Sequence, residues 1–126
     1  MEVSVVIPNY NGIAFLDSVL ASLEGQTLQN FEVIFVDNGS SDGSCSFVSG
    51  NYPWVHIIEL AENYGFCRAV NEGIKASRAP YVLLLNNDTE VREDFLEEMV
   101  AAIKRHKRAF SCAARMVQYH DRDRLD

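Results

Sequence analysis

The stretch YVLLLNNDTEV, Tyr81 to Val91, constrains the fold more than any other part of this chain. Its first five residues are apolar without a break, whereas a strand with one wet face alternates apolar and polar side chains. Such a run predicts a strand buried on both faces, as in a parallel sheet covered by helices. It stops on Asn86, Asn87 and Asp88, three oxygen-bearing side chains placed where the strand would leave the core.

Three further runs read as strands: VSVVIP (Val3 to Pro8), FEVIFVD (Phe31 to Asp37) and VHIIEL (Val55 to Leu60). Helical patterns separate them. Ile13, Leu16, Leu20 and Leu23 recur at helical spacing ahead of Gly25, a helix stop. NGSSDGS supplies turn and cap residues, and a short helix is expected around Ser41 to Val48. Phe66, Val70 and Ile74 mark a third helix, which Pro80 prevents from continuing. The fourth runs from about Glu93 to His106, with Phe95, Met99 and Ile103 on one face. It opens on Glu93 and Asp94 and closes on KRHKR (Lys104 to Arg108), a placement that suits the helix dipole. The same basic cluster could instead meet an anionic membrane surface. AFSCAARMVQY (residues 109–119) could add a strand, and the final HDRDRLD is polar. Alternating strands and helices predict an α/β fold with a mainly parallel sheet covered on both faces. Ligands of such sheets bind beyond the carboxyl ends of the strands, where the strand order reverses.

Composition narrows the function. A chain of 126 residues with 48% apolar and 23% charged residues suits one soluble domain and excludes disorder. No apolar run is long enough to span a bilayer, and MEVSVVIPNYN lacks the pattern of a signal peptide. Cys45, Cys67 and Cys112 are odd in number and scattered. They offer neither a disulfide framework nor zinc spacing, and they suit a reducing cytoplasm. The net charge of −7 argues against nucleic-acid binding.

Three strand ends give way to Asn and Asp: PNYNG, DNGSSDG and NNDTE. The third strand leads into ENYGFCRAVNEG, another polar turn. Neither a P-loop nor a GxGxxG fingerprint is present. Asp37 is a lone acid at a strand end, able to accept from a base N–H or a sugar hydroxyl. Tyr10 could stack on a base, while Asn9 and Asn11 bring donors and acceptors. A plain capped turn explains these last three equally well. Asp88 suits a hard cation, Mg²⁺ or Mn²⁺, which takes one or two carboxylates and completes its shell with phosphate oxygens. A turn acid is the alternative for Asp88.

Taken in order, VSVVIPNYNG, VIFVDNGSSDGS, ENYGFCRAVNEG and LLLNNDTEV resemble the four motifs of the family 2 glycosyltransferases, over nearly the whole chain. The resemblance implies the GT-A fold, a Rossmann-like three-layer α/β/α arrangement, incomplete at its C-terminal side. It implies transfer of a sugar from a nucleotide-diphosphate donor (dTDP-, UDP- or GDP-linked) to a polysaccharide, lipid or protein acceptor, with inversion. Pro8, Asn9, Tyr10 and Asp37 would contact the nucleotide, with Asp37 reading the base. NYGFCRAVN matches the third motif, which places Asn63, Gly65, Arg68 and Asn71 near the donor and Arg68 at phosphate. Gly65 as a turn residue and Asn71 as a cap remain open. NND occupies the Asp-x-Asp position, so Asp88 becomes the metal ligand with Asn87 beside it, although Asn86 is an amide where the family has an acid. This version resembles bacterial transferases that build surface polysaccharides, rhamnosyltransferases among them.

A leaving nucleoside diphosphate gains negative charge, which a cation stabilises. Inversion also needs a general base for the acceptor hydroxyl. In the family that base lies downstream, and no residue here is assigned the role; Glu90, Glu93 and Asp94 read as the opening of a helix. Residues 1–126 are therefore expected to be the donor-binding half of a longer enzyme, cytoplasmic or peripheral at the inner membrane face. A non-catalytic nucleotide-binding module, or a remnant associating with a partner or a second copy through exposed sheet edges, is the alternative. A receiver-type α/β domain would need a carboxylate cluster and a late lysine that the strand ends lack.

Overall fold

The computed structural model describes residues 1–108, 111–114, 117–118 and 121–125. Strands and helices alternate as β1 (Val3–Asn9), α1 (Ile13–Glu24), β2 (Phe31–Asp37), α2 (Ser44–Asn51), β3 (His56–Glu59), α3 (Phe66–Ala76), β4 (Tyr81–Leu84) and α4 (Phe95–Arg105). The four strands form one parallel sheet in the order β3-β2-β1-β4. A separate antiparallel pair follows, β5 (Val117–Gln118) with β6 (Asp121–Leu125). Of the strand considered over residues 109–119, Val117 and Gln118 are strand and 111–114 are not. The rest of that stretch lies outside the described residues.

The strand order explains the layers. From β1 the chain steps outward to β2 and β3, then returns past β1 to lay down β4. Right-handed crossovers in opposite directions must place their helices on opposite faces. On one face Val3, Val5 and Ile7 of β1 and Val33 and Phe35 of β2 pack with Leu16, Leu20 and Leu23 of α1, Val48 of α2, and Leu96 and Val100 of α4. On the other, Val6, Ile34 and Val36 meet Ala69 of α3. Three layers result, with the order reversing between β1 and β4.

Two expectations about burial are corrected. Tyr81 to Leu85 is not covered on both faces: Val82 and Leu84 are 42% and 49% exposed. The cause is topological, because α3 packs on β1 and β2 and leaves that face of β4 open. In α3 the buried stripe is Ala69, Val70 and Gly73, whereas Phe66 and Ile74 are exposed. Size decides this, since a Cβ added at Gly73 would overlap Val6 Cγ1. The helix lies so close to the sheet that only small side chains fit between them. Smaller shifts follow the same logic. In α4 the fully inward residues are Leu96 and Val100, with Phe95, Met99 and Ile103 half-buried beside them. Its first-turn acids are Glu97 and Glu98 rather than Glu93 and Asp94, and its last-turn bases are Lys104 and Arg105. The second helix begins at Ser44 rather than Ser41.

Candidate functional site

Register brings the site residues side by side. Asn9 of β1 lies opposite Asp37 of β2, which lies opposite Glu59 of β3. On the other side of β1 the ladder pairs Val6 with Leu84, and Leu85 N donates to Val6 O. Continuing that register sets Asn87 beside Asn9. Their side chains meet accordingly: Asn87 Nδ2 donates to Asn9 Oδ1 at 2.7 Å, and Asn9 Nδ2 donates to Asp37 Oδ1 at 2.9 Å. A single hydrogen-bonded line thus runs across the ends of β4, β1 and β2, at the place where the strand order reverses.

The loops are stitched as tightly as the strands. Ser40 donates to Asp37 through its hydroxyl (2.7 Å) and its backbone N–H (2.9 Å), and Asn11 N donates to Ser40 Oγ. Asn11 Oδ1 in turn accepts from Ser41 N, and Asn11 holds a left-handed backbone at φ 50°. Asp42 accepts from Ile13 N at the start of α1 and from both Ser44 N and Ser44 Oγ at the start of α2. Its carboxyl is held below the usual range. Burial opposes this, but the hydrogen bonds from Ser44 and Ile13 prevail. Asn38 clamps the next loop, accepting from Tyr64 N (3.1 Å) and donating to Gly65 O (2.9 Å). Gly39, at φ 77°, lets β2's loop press against the backbone of Glu62. All four strand ends therefore form one connected surface.

On this surface Asp37 is 1% exposed, and its carboxylate accepts three hydrogen bonds. The donors are Asn9 and the Ser40 hydroxyl on Oδ1 and the Ser40 amide on Oδ2, so Oδ2 keeps acceptor capacity. Tyr10 is half exposed and Pro8 half-buried. Asp88 is exposed, one residue from Asn87, and carries no hydrogen bond or ion pair among the described residues. Asn86 is exposed, its carbonyl accepting from Thr89 Oγ1. The third-loop candidates form a group of their own. Asn63 Oδ1 accepts from Gly65 N, and Gly65 takes φ 94°, a backbone only glycine adopts freely. The Arg68 guanidinium lies over the Tyr64 ring, 4.9 Å from its centroid, and Nε donates to Glu72 Oε1. Asn38 joins the loop of Arg68 to the others. Asn71 is exposed.

The sequence reading did not single out Asn38, Ser40, Asp42 or Gly12. Their signal was the density of turn formers in DNGSSDGS and the glycine after PNYN, but Asn38, Ser40 and Asp42 find partners in other loops 26 to 31 residues away, and Gly12 meets Asn87. Among the described residues no three His, Cys, Asp or Glu side chains gather as a metal cluster, and no helix is long and apolar enough to cross a membrane. The exposed carboxylate of Asp88, without a partner among the described residues, suits a hard cation that completes its shell with its ligand's phosphates.

Comparison with known proteins places this geometry. GlyG of Streptococcus pneumoniae, a glycosyltransferase, is 30% identical over 105 residues, covering 81% of this chain and 35% of its own length. Staphylococcal TarS (S. aureus), solved with UDP, superposes with a TM-score of 0.78 at 27% identity, over 85% of this chain and 33% of its own. The mannosyltransferase PcManGT of Pyrobaculum calidifontis, solved with GDP-Man and Mn²⁺, shares the fold with a TM-score of 0.75 at 24% identity, over 81% of this chain and 32% of its own. The chain spans at most about half the length of the curated relatives it matches first. The sheet and its helices match the GT-A glycosyltransferase structures, and the family model for glycosyl transferase family 2 matches residues 4–125. This chain belongs to glycosyl transferase family 2.

Proposed function

We propose that residues 1–126 are the donor-binding part of an inverting glycosyltransferase that uses a nucleotide-diphosphate sugar. One observation carries this reading: the hydrogen-bonded line Asp37–Asn9–Asn87 spans the strand ends at the switch point, with a free carboxylate, Asp88, immediately beyond it. In this reading Pro8, Asn9, Tyr10 and Asp37 receive the nucleoside, Asp37 accepting from the base through its remaining lone pairs. Tyr10, half exposed, supplies a stacking face. Asn63, Gly65 and Arg68 approach the diphosphate, and Arg68 exchanges Glu72 for phosphate oxygens. Asn87 and Asp88 form the cation side, with Asp88 as protein ligand to Mg²⁺ or Mn²⁺. A bound cation would offset the charge that develops on the leaving diphosphate. An amide at Asn86 leaves one protein carboxylate, so cation and nucleotide should bind together.

Support comes from relatives of the same fold. TarS is solved with UDP and with UDP-GlcNAc, and PcManGT with GDP-Man and Mn²⁺. The NND version of the motif favours a bacterial surface-polysaccharide transferase of rhamnosyltransferase type, acting on a glycan or lipid acceptor. The scattered free cysteines suit work in the cytoplasm.

The test is thermal unfolding with UDP, GDP and dTDP, each with and without Mn²⁺. One nucleotide at a hundredfold excess over its Kd should stabilise the fold by about 2.7 kcal/mol. That response should need Mn²⁺ and disappear in Asp88→Ala. No response to any of the three would refute the donor-site reading. Binding with no transfer, once assayed in a full-length protein, would favour a non-catalytic nucleotide-binding module.

A further inference from the structure

The amide line has a direction that no residue in it can reverse alone. Asp37 Oδ1 can only accept, and it already takes the Ser40 hydroxyl. Asn9 must therefore turn Nδ2 toward Asp37, and the same nitrogen lies 3.3 Å from Ser40 Oγ. With its nitrogen committed, Asn9 presents only Oδ1 to the end of β4. Position 87 must then supply a donor, and Asn87 Nδ2 does so at 2.7 Å. Flipping the Asn9 amide would set its oxygen against the Asp37 carboxylate. Gly12 makes room for this contact, because a Cβ there would overlap both Asn87 Nδ2 and Asn9 Oδ1.

We propose that Asn87 and Gly12 are positioning residues: through Asn9 they fix Asp37 for the nucleoside, and they tie that subsite to the loop bearing Asp88. Asn87 spends its donor inward, and its effect on nucleotide is exerted through Asn9. Asp37's charge polarises both amides in the same sense, so each hydrogen bond strengthens the other. The middle residue of NND is thereby explained as a required donor. An acid there would cost the nucleoside subsite its order even while it added charge beside Asp88.

The consequence for ligands rests on the donor-site reading, whereas the amide polarity does not, and the experiment separates them. Uridine, guanosine and thymidine, which carry no phosphate, are titrated in metal-free buffer and followed by ¹H–¹⁵N NMR. Asn87→Asp should weaken the nucleoside that wild type binds by about tenfold, the loss of one hydrogen bond in a charged network. Gly12→Ala should reproduce the loss of Asn87→Asp while removing no polar group; if it does not fold, Asn87→Asp carries the comparison. Unchanged nucleoside affinity in Asn87→Asp overturns the proposal. If wild type binds neither nucleosides nor nucleotides, the donor-site reading fails and the free protein decides. Asp37→Asn should then shift the side-chain amide signals of Asn87, which it does not touch, and unmoved signals overturn the coupling.

Discussion

Asp42 offers the most exacting test of how this site is held together. Its carboxylate serves two helix N-termini at once, accepting from Ile13 N at 3.0 Å for α1 and from Ser44 N at 3.0 Å and Ser44 Oγ at 2.5 Å for α2. Loss of a helix cap costs about 1 kcal/mol, and two such roles are removed together in Asp42→Ala. Ser44 is 1% exposed, so its hydroxyl would lose its acceptor without gaining water, adding roughly 1 kcal/mol or more. The total of about 3 kcal/mol should lower Tm by roughly 10 °C in a domain of this size. Asp42→Asn keeps one acceptor oxygen and should lose about half as much. The sign with pH also follows. A carboxyl whose folded pKa lies below its unfolded value stabilises fully above the ordinary aspartate value of about 3.9, and that stability is lost as pH falls through the folded value. Calorimetric scans from pH 7 to pH 3 should show the Asp42→Ala deficit constant down to about pH 5 and shrinking below about pH 3.9. A variant melting within about a degree of wild type at pH 7, or a deficit that grows on acidification, would refute the double-cap account.

Two further outcomes concern groups on either side of the site. At the amino end of the sheet Glu32 is buried, accepting from Ser4 Oγ, Arg78 N, Arg78 Nε and an Arg78 terminal nitrogen. Burial raises its carboxyl pKa, but the bonds from Ser4 and Arg78 and the Arg78 charge bring it below the ordinary value. Glu32→Gln should therefore cost about 1–2 kcal/mol in urea melts at pH 7, modest because Arg78 is largely in water, and less below the ordinary glutamate pKa of about 4.3; an equal cost at pH 7 and pH 3 would contradict this. The Cys45 thiol is pushed up to about 12, first by burial and then by the negative charges of Asp37 and Glu59. A thiol-reactive disulfide reagent at pH 8 should modify the exposed Cys67 and Cys112 and reach Cys45 only in denaturant, so rapid native modification of Cys45 would contradict that environment.

Local pattern revealed the elements, and topology decided their burial. The run Val3 to Pro8, within the strand Val3–Asn9, and the stop at Gly25 could be read from the chain because both depend on residues within a few positions. The open face of Val82 and Leu84 could not, since it follows from where α3 crosses the sheet. Likewise Phe66 and Ile74 have the hydrophobicity of a buried face but not the size, and the gap over Val6 admits only the sequence's smaller residues. The candidate site divides in the same way. Asp37 and Asp88 were legible as polar residues ending apolar runs, but what orders them was not.

The ordering groups are helix caps and amides whose partners come from other loops. Neither α1 nor α4 receives a side-chain bond from its own N-cap residue. Asp42 serves α1 from 29 positions away, and the buried Gln26 serves α4 from 70 positions away by accepting from Leu96 N. Gln26 also donates to Arg92 O, and Ser22 Oγ accepts from Val91 N. The segment just after Asp88 is thus fastened to the end of α1, while Asn87 just before it is fastened to Asn9. An exposed carboxylate with no partner among the described residues is held from both sides by its neighbours' bonds. In the proposed donor site this would leave Asp88 available to a ligand while its neighbours hold the loop, so that order and availability do not compete. A loop held by local caps alone would need to satisfy its polar groups with the very side chain that the proposed site uses.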